Sequence, residues 1–258
     1  METKFSLSTM ERQDELRRFI QQHNRATVNE IAEHFSVSVA TVRRDIEALA
    51  ERGEIQRFHG GAMALRQAPP ELPALQREIE QSEEKKRIGR AAAAMIEDGE
   101  TVFISSGTTA LEVARNLRAH RNLTVITNSL LVINELLGAN IEVVGLGGVL
   151  RHTEMSMIGH ITEQALREVH AHKIILGIRA LDLERGLTND YLPETVTDRA
   201  ILGLGGEVIV VADHTKCGCV STASLAPLTA VNKLVTDTQT PPEFVQELRA
   251  KGVEVIVA

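Results

Sequence analysis

The order of apolar and polar positions divides this chain into two stretches with different rhythms. In the first, apolar residues recur at helical spacing. Leu16, Phe19 and Ile20 put one apolar stripe on residues 11–22, which reads as a helix broken at Asn24 and Arg25. Ile31, Ala32 and Phe35 supply the buried face of a second helix, introduced by a capping box of Thr27 and Glu30. The turn Ser36-Val37-Ser38 leads into a third helix over residues 38–49. There Val42, Ile46 and Leu49 align, Ala40, Arg44 and Glu51 lie opposite, and Ser38 is the N-cap. Residues 54–59 have strand-like content and Gly60-Gly61 offers a turn, so they read as a β-wing or as an ordinary hairpin.

The second stretch has another rhythm. Pro69, Pro70 and Pro73 predict an extended, semi-rigid linker. A helix follows over residues 79–97, with Glu80, Glu83 and Glu84 ahead of Lys85, Lys86, Arg87 and Arg90; that charge run reads as a solvated face. From residue 101 short apolar runs alternate with helical patterns. Strands are expected at 101–105, 123–127, 141–144, 173–178, 207–212, 233–236 and 253–257, with helices at 110–117 and 130–137. Strands recurring about every twenty residues with helices between them imply right-handed βαβ units and a mainly parallel sheet. The fold class is therefore α/β behind a small helical N-terminal domain.

Composition narrows the picture. With 258 residues, 43% hydrophobic and 24% charged, the chain has room for two globular domains. Residues 1–10 lack the apolar core of a signal peptide and no apolar run is long enough to span a bilayer, so a cytoplasmic protein with no membrane partner is expected. Cys217 and Cys219 stand too close for a structural disulfide, and with His214 as a conceivable third ligand they make only a weak metal candidate. Two free thiols are the favoured reading, and neither a metal nor a cofactor is expected. The net charge of −7 argues against indiscriminate nucleic-acid binding but leaves room for a local basic surface.

That surface has a candidate. The third helix carries small residues at its exposed start and paired arginines behind them, a combination that suits a DNA major groove. Ala40, Thr41 and Arg44 would approach base edges, with Ser38 at the helix start, while Arg43, Arg57 and His59 would contact phosphates. A surface helix with solvated arginines is the other reading of this stretch alone; the capped helix before it and the hairpin after it favour the groove.

In open α/β sheets ligands sit beyond the carboxyl ends of the strands. Ser105-Ser106-Gly107-Thr108-Thr109 joins a strand to a helix N-terminus and can hold a phosphate. Asn128 follows the second strand, Gly147 and Gly148 the third, and Lys216 stands in a later loop where it can supply a cation.

Two motifs carry a resemblance. Val37-Ser-Val-Ala-Thr-Val-Arg-Arg-Asp-Ile46, followed by Gly53-Glu-Ile-Gln-Arg-Phe-His-Gly-Gly-Ala62, resembles the winged helix-turn-helix of the DeoR family of bacterial transcriptional regulators, with Ile46 in place of the usual Leu. The likeness runs from about Leu16 to Val257. It implies a DNA-binding domain over residues 1–65, a linker over 66–78 and an effector-sensing, oligomerising α/β domain over 79–258, similar to ribose-5-phosphate isomerase and glucosamine-6-phosphate deaminase. Gly107-Thr-Thr109 matches that family's phosphate turn, Thr127-Asn128 its second loop and Gly147-Gly148 its third. Ala180-Leu-Asp182 falls where Gly-Ile-Asp is common, Glu194 matches an acidic position, and Asp213 to Lys216 matches Asp-Ser-(Ser/Thr)-Lys. Ala180, a cation at Arg179 and Cys217 in place of an aromatic residue are departures that bear on which effector is bound.

The resemblance thus implies a repressor of a carbohydrate-use operon whose partners are double-stranded operator DNA and a phosphorylated sugar. A symmetric operator implies at least a dimer, a homodimer or homotetramer. Two other readings stay open: a sugar-phosphate isomerase or deaminase with a DNA-binding appendage, with Asp182 or Glu194 as its base, and a regulator whose second domain serves assembly alone.

Overall fold

A computed structural model describes residues 8–58 and 60–258. The chain separates into two compact units, Met1–Arg66 and Gln67–Ala258. The first contains α1 (Thr9–His23), β1 (Arg25–Thr27), α2 (Val28–Phe35), α3 (Val39–Glu51), β2 (Ile55–Phe58) and β3 (Gly61–Ala64). Side chains fix where its helices begin. Ser8 with Glu11 and Thr27 with Glu30 form capping boxes on α1 and α2, and Ser38 caps α3 by accepting from the Thr41 N–H. Ser36, left-handed at φ 50°, ends α2 and turns the chain into α3. The apolar stripes converge on one core of Leu16, Ile20, Ile31, Val42, Ile46 and Leu49. β3 pairs antiparallel with β2 and with β1. The three residues of β1, with only Ala26 buried, are too short to show an alternation in sequence.

The second unit is built on a seven-stranded sheet. Its elements follow as β4 (Arg66–Gln67, cut by the boundary between the units), α4 (Ala74–Arg77), α5 (Ser82–Ala93), β5 (Thr101–Ile104), α6 (Thr108–Arg115), β6 (Thr124–Thr127), α7 (Leu130–Leu136), β7 (Glu142–Gly145), β8 (Val149–Arg151), β9 (Ser156–Ile158), α8 (His160–Leu166) and β10 (Lys173–Gly177). Then come β11 (Ala180–Asp182), β12 (Gly186–Asn189), α9 (Leu192–Leu202), β13 (Glu207–Val211), a short 3₁₀ turn (His214–Lys216), β14 (Cys219–Val220), β15 (Ala223–Ala226), β16 (Lys233–Thr236), α10 (Pro242–Ala250) and β17 (Glu254–Val257). The strand order is β17-β16-β13-β10-β5-β6-β7, parallel throughout. Both faces are covered. Phe103, Ile174, Leu176, Val208 and Val210 pack on one side, and their neighbours Val102, Ile104, Ile175, Ile209 and Val211 on the other. Burial on both faces is why these strands read as continuous apolar runs.

From β5 the chain winds one way to β6 and β7, and from β10 the other way to β13, β16 and β17. The crevice at the carboxyl ends of β5 and β10 is therefore the topological switch point, where doubly wound sheets hold ligands.

Two features depart from the sequence expectation. Residues 67–78 are held on the second unit: Ala68 N–H donates to the Val220 carbonyl, Ala74 N–H to that of Thr153, and Glu71 and Arg77 pair with Arg151 and Glu154. The prolines stiffen this stretch, but ion pairs decide where it lies. The charge run of α5 is also not wholly a solvated face. Lys85 is 5% exposed, and its Nζ donates to the Arg77 and Glu80 carbonyls at 2.6 Å each. The antiparallel sheet β11-β12-β15 and the β8–β9 hairpin were not anticipated either. All four residues of β12 are buried, which leaves no alternation to read.

Candidate functional sites

In the first unit, Ser38, Ala40, Arg43 and Arg44 are exposed on α3, and Thr41 is half-buried. The Thr41 hydroxyl lies 2.8 Å from Ser38 Oγ, so part of its hydrogen-bonding capacity belongs to the cap. Arg57, on β2, is exposed and reaches Glu47 of α3 at 3.5 Å. His59 lies outside the described residues. A cation not singled out from sequence stands beside the hairpin: the Arg25 guanidinium sits 4.0 Å from the centre of the Phe58 ring.

What orients α3 is Asp45, which sequence reasoning also passed over. It is 2% exposed and accepts from Arg12 Nε at 2.6 Å, Arg12 Nη2 at 3.1 Å and Gln13 Nε2 at 3.0 Å. Gln13 Oε1 in turn accepts from both terminal nitrogens of Arg52 at 3.1 Å. A carboxylate that takes three donors from α1 pins the helix carrying Arg43 and Arg44. The signal was present: Asp45 lies at the edge of the apolar stripe, beside Leu49, where a buried charge requires partners.

In the second unit Ser106 to Thr109, Asn128, Gly147 and Lys216 follow the carboxyl ends of β5, β6, β7 and β13. Gly107 is the N-cap of α6, with φ 107°, a conformation that side chains avoid. No side chain caps this helix, and Thr108 and Thr109 are buried in its first turn. The amides there can therefore take an anion. Ser106 is half-buried beside them. Ser105 Oγ accepts from Gly177 N–H at 2.8 Å and so joins the ends of β5 and β10.

Asn128, at the end of β6, is 1% exposed; its Nδ2 donates to the Met157 carbonyl at 2.9 Å. Asp182 is equally buried, and its Oδ1 accepts from the amides of Glu184 and Arg185 at 2.9 and 2.8 Å. Burial pushes its carboxyl above the usual carboxylate range. Lys216 ends the 3₁₀ turn that Asp213 caps. Burial pulls its ammonium down; Asp213 counters that, and Arg179 adds to it.

The two glycines of the third loop behave differently. Gly147 is exposed, with open space where a side chain would start. Gly148 is a packing residue, because a Cβ there would meet Thr162 Oγ1 at 2.2 Å.

Among the described residues of this unit, the buried side-chain nitrogens and oxygens that make no hydrogen bond in the protein are Asn128 Oδ1, Arg179 Nη2 and Asp182 Oδ2. Asn128 follows β6 and Arg179 follows β10 at the carboxyl end of the seven-stranded sheet, and Asp182 ends β11 of the antiparallel sheet.

Glu194 is placed otherwise. It is buried in the first turn of α9, accepts from Arg151 Nη1, and lies 3.3 Å from Ser156 Oγ. Arg151 also holds Glu71 and sits 4.7 Å from the centre of the Tyr191 ring. Glu194 is thus engaged within the protein and linked through Arg151 to residues 67–78. Asp198 belongs to the same surroundings. It accepts from Asn189 Nδ2 at 2.7 Å, and burial pushes it up to about 7. The cysteines are buried, and burial pushes the Cys217 thiol up to about 12, far from a thiolate at neutral pH.

A helix-turn-helix with an antiparallel hairpin behind it, joined to a doubly wound sheet with a polar switch point, defines a two-part regulator: one unit reads DNA and the other senses a ligand. Comparison with known proteins agrees. The model for the DeoR-like helix-turn-helix domain matches residues 12–68, and that for the DeoR C terminal sensor domain matches residues 80–238. The transcriptional repressor AccR of Agrobacterium fabrum is 37% identical over 95% of this chain and 97% of its own length. The glycerol-3-phosphate regulon repressor of Escherichia coli K12 is 35% identical, over 92% and 94%. A putative aga operon transcriptional repressor of E. coli O157:H7 is 31% identical, over 96% and 94%. Among solved structures, ribose 5-phosphate isomerase A of Methanocaldococcus jannaschii aligns with a TM-score of 0.40 and 15% identity, over 54% of this chain and 55% of that one. The chain belongs to the DeoR family and is a DNA-binding transcriptional regulator.

Proposed function

We propose that this protein represses a carbohydrate-use operon and that a phosphorylated, polyhydroxylated metabolite sets its hold on the operator. The observation that carries this reading is the uncapped N-terminus of α6 at the switch point, with the buried, unpaired Asn128 Oδ1 at the end of the neighbouring strand β6. Asn128 Oδ1 and Asp182 Oδ2 can each accept a ligand hydroxyl, while the first-turn amides of α6 and Lys216 suit a phosphate. Ser106, Gly107, Thr108, Thr109, Asn128, Gly147, Asp182 and Lys216 would line the site, with Gly148 shaping its wall. Two of the relatives are named for a glycerol-3-phosphate regulon and an aga operon, which suits such an effector.

On DNA, Arg44 and Ala40 would face base edges with Thr41 beside them, and Arg43 and Arg57 would meet phosphates. Because Arg151 bridges Glu194 and Glu71, a ligand that drew on Glu194 would disturb the stretch that follows the DNA-reading unit. An effector that weakens operator binding must itself bind less tightly to the DNA-bound form.

The second unit would bind its ligand without turning it over. Glu194 is committed to Arg151 and Ser156, and Asp182 keeps only one free oxygen for proton transfer. Exposed Ile161, Leu192 and Val196, on helices α8 and α9 that pack together, suit a self-association surface for a homodimer or homotetramer in the cytoplasm.

Genomic footprinting of the bound sites would identify the regulated genes. Thermal shift of the full chain against a panel of sugar phosphates, with Lys216→Ala as control, then tests the sensor. Stabilisation by at least one, lost in Lys216→Ala, is expected. No stabilisation by any would favour a domain for assembly alone, and turnover of ribose 5-phosphate or glucosamine 6-phosphate would point to an enzyme.

A further inference from the structure

Arg179 lies close enough to Lys216 to act on its charge, and neither the phosphate turn nor Lys216 accounts for its burial. It follows Gly177 by two residues. Gly177 donates to Ser105 Oγ at the phosphate turn and pairs in register with Val211, two residues before Asp213. Arg179 therefore emerges between the Ser105–Thr109 turn and the loop that carries Lys216. Its side chain is buried, at 6% exposure for the residue. Its Nε donates to Asp190, which also accepts from Ser221 Oγ, but its Nη2 is buried with no hydrogen-bond partner.

A guanidinium needed only for packing would have its buried donors satisfied, because a charged donor left unpaired is costly. An acceptor is missing beside Nη2. The local charge says which kind. Lys216 forms no salt bridge among the described residues; Asp213 and Glu80 support its charge, while Arg179 and Arg77 press on it. Asp190 balances the Nε side of Arg179, and the unpaired Nη2 adds a cationic donor beside a crevice where the α6 N-terminus and Lys216 already suit one phosphate. A guanidinium with its Nη2 unpaired suits an anionic oxygen.

We propose that Arg179 binds a second anionic group of the effector, so that the effector is a phosphorylated sugar carrying a carboxylate or a second phosphate. This rests on the sugar-phosphate reading above and narrows its ligand class.

The test is isothermal titration of the full chain with matched probes. Glucose 6-phosphate against 6-phosphogluconate and ribose 5-phosphate against 5-phosphoribonate differ in the carboxylate; fructose 6-phosphate against fructose 1,6-bisphosphate differs in the second phosphate. In at least one pair the doubly anionic member should bind about tenfold or more tighter, the worth of one charged hydrogen bond. The pair that shows it tells carboxylate from phosphate. Replacing both partners, Arg179→Met with Asp190→Asn, avoids leaving Asp190 without its cation. That variant should bind both members of the pair with the affinity of the singly charged one. Arg179→Lys, which keeps the charge but loses the fork, should retain part of the preference, and its melting temperature checks folding. Equal affinities within every pair in the natural protein, or equal weakening of both members in the variants, would overturn the assignment of Arg179 alone. Failure of every phosphorylated probe to bind would overturn the sugar-phosphate reading and this inference with it.

Discussion

The two units present function in opposite ways. In the first, the candidate contacts Arg43 and Arg44 stand exposed, while Asp45 on the inner side of the same helix is buried and paired with Arg12 and Gln13. In the second, several candidate contacts are themselves buried, Thr108, Thr109, Asn128 and Asp182 among them, and Asn128, Arg179 and Asp182 each keep one atom unpaired. A convex reader that enters a groove can be completed before its partner arrives, because water satisfies its side chains until then. A concave sensor must leave groups unsatisfied for its ligand to satisfy, and that unpaired polarity is a cost to the unliganded fold.

Breaking the first unit's buried network should have the largest effect. Asp45→Ala would strand Arg12 and Gln13, a loss of about 3–5 kcal/mol for a buried pair that loses one member. Hydrogen exchange in the full chain should show faster exchange across residues 9–64, with operator binding lost; unchanged protection there would mean that Asp45 does not hold α3. Arg44→Ala should cost about 1–3 kcal/mol on the footprinted operator and relax preference at one base pair, whereas Arg43→Ala should weaken all sequences alike and lower the salt slope by about one. Identical behaviour of the two variants would contradict the division into base and phosphate contacts.

In the second unit, Asp198 tests the cost of burial. Its folded pKa, about 7, lies above the ordinary 3.8. Between those values the folded state holds more protons than the unfolded one, so the stability this group contributes is present at low pH and is lost as pH rises toward 7. Asp198→Asn should therefore raise stability at pH 8, by something on the order of 2 kcal/mol, and change it little at pH 4. Thermal melts across that range check the sign, and a variant that loses stability at pH 8 would show the charge to be favoured there.

The smallest effect concerns Glu47, whose exposed carboxylate shares Arg57. Glu47→Gln should tighten DNA binding by about 0.2–1 kcal/mol, chiefly at low salt. Unchanged affinity at every ionic strength would place Arg57 away from the phosphates.

Much of this was legible in sequence because it is local. Thr27 and Glu30 cap their own helix, Val42, Ile46 and Leu49 face one way through helical spacing alone, and β5, β6, β10, β13 and β16 are apolar runs that strands buried on both faces require. Gly107 before Thr108 and Thr109 marked the start of a helix within a few residues of chain, and the fold leaves that N-terminus without a side-chain cap.

Tertiary structure decided what depends on which side chains meet. Glu194 matched an acidic position of the family, and the fold brings it to Arg151, which comes 43 positions earlier and also holds Glu71. Asp45 needed α1 beside it, and Lys85 needed the Arg77 and Glu80 carbonyls, before either could be seen as buried. Hydrophobic spacing reports which face of an element turns inward; it does not report which charge waits there. The strand order β13-β10-β5, which sets Arg179 between the Ser105–Thr109 turn and the loop of Lys216, appears only once parallel strands distant in sequence have paired.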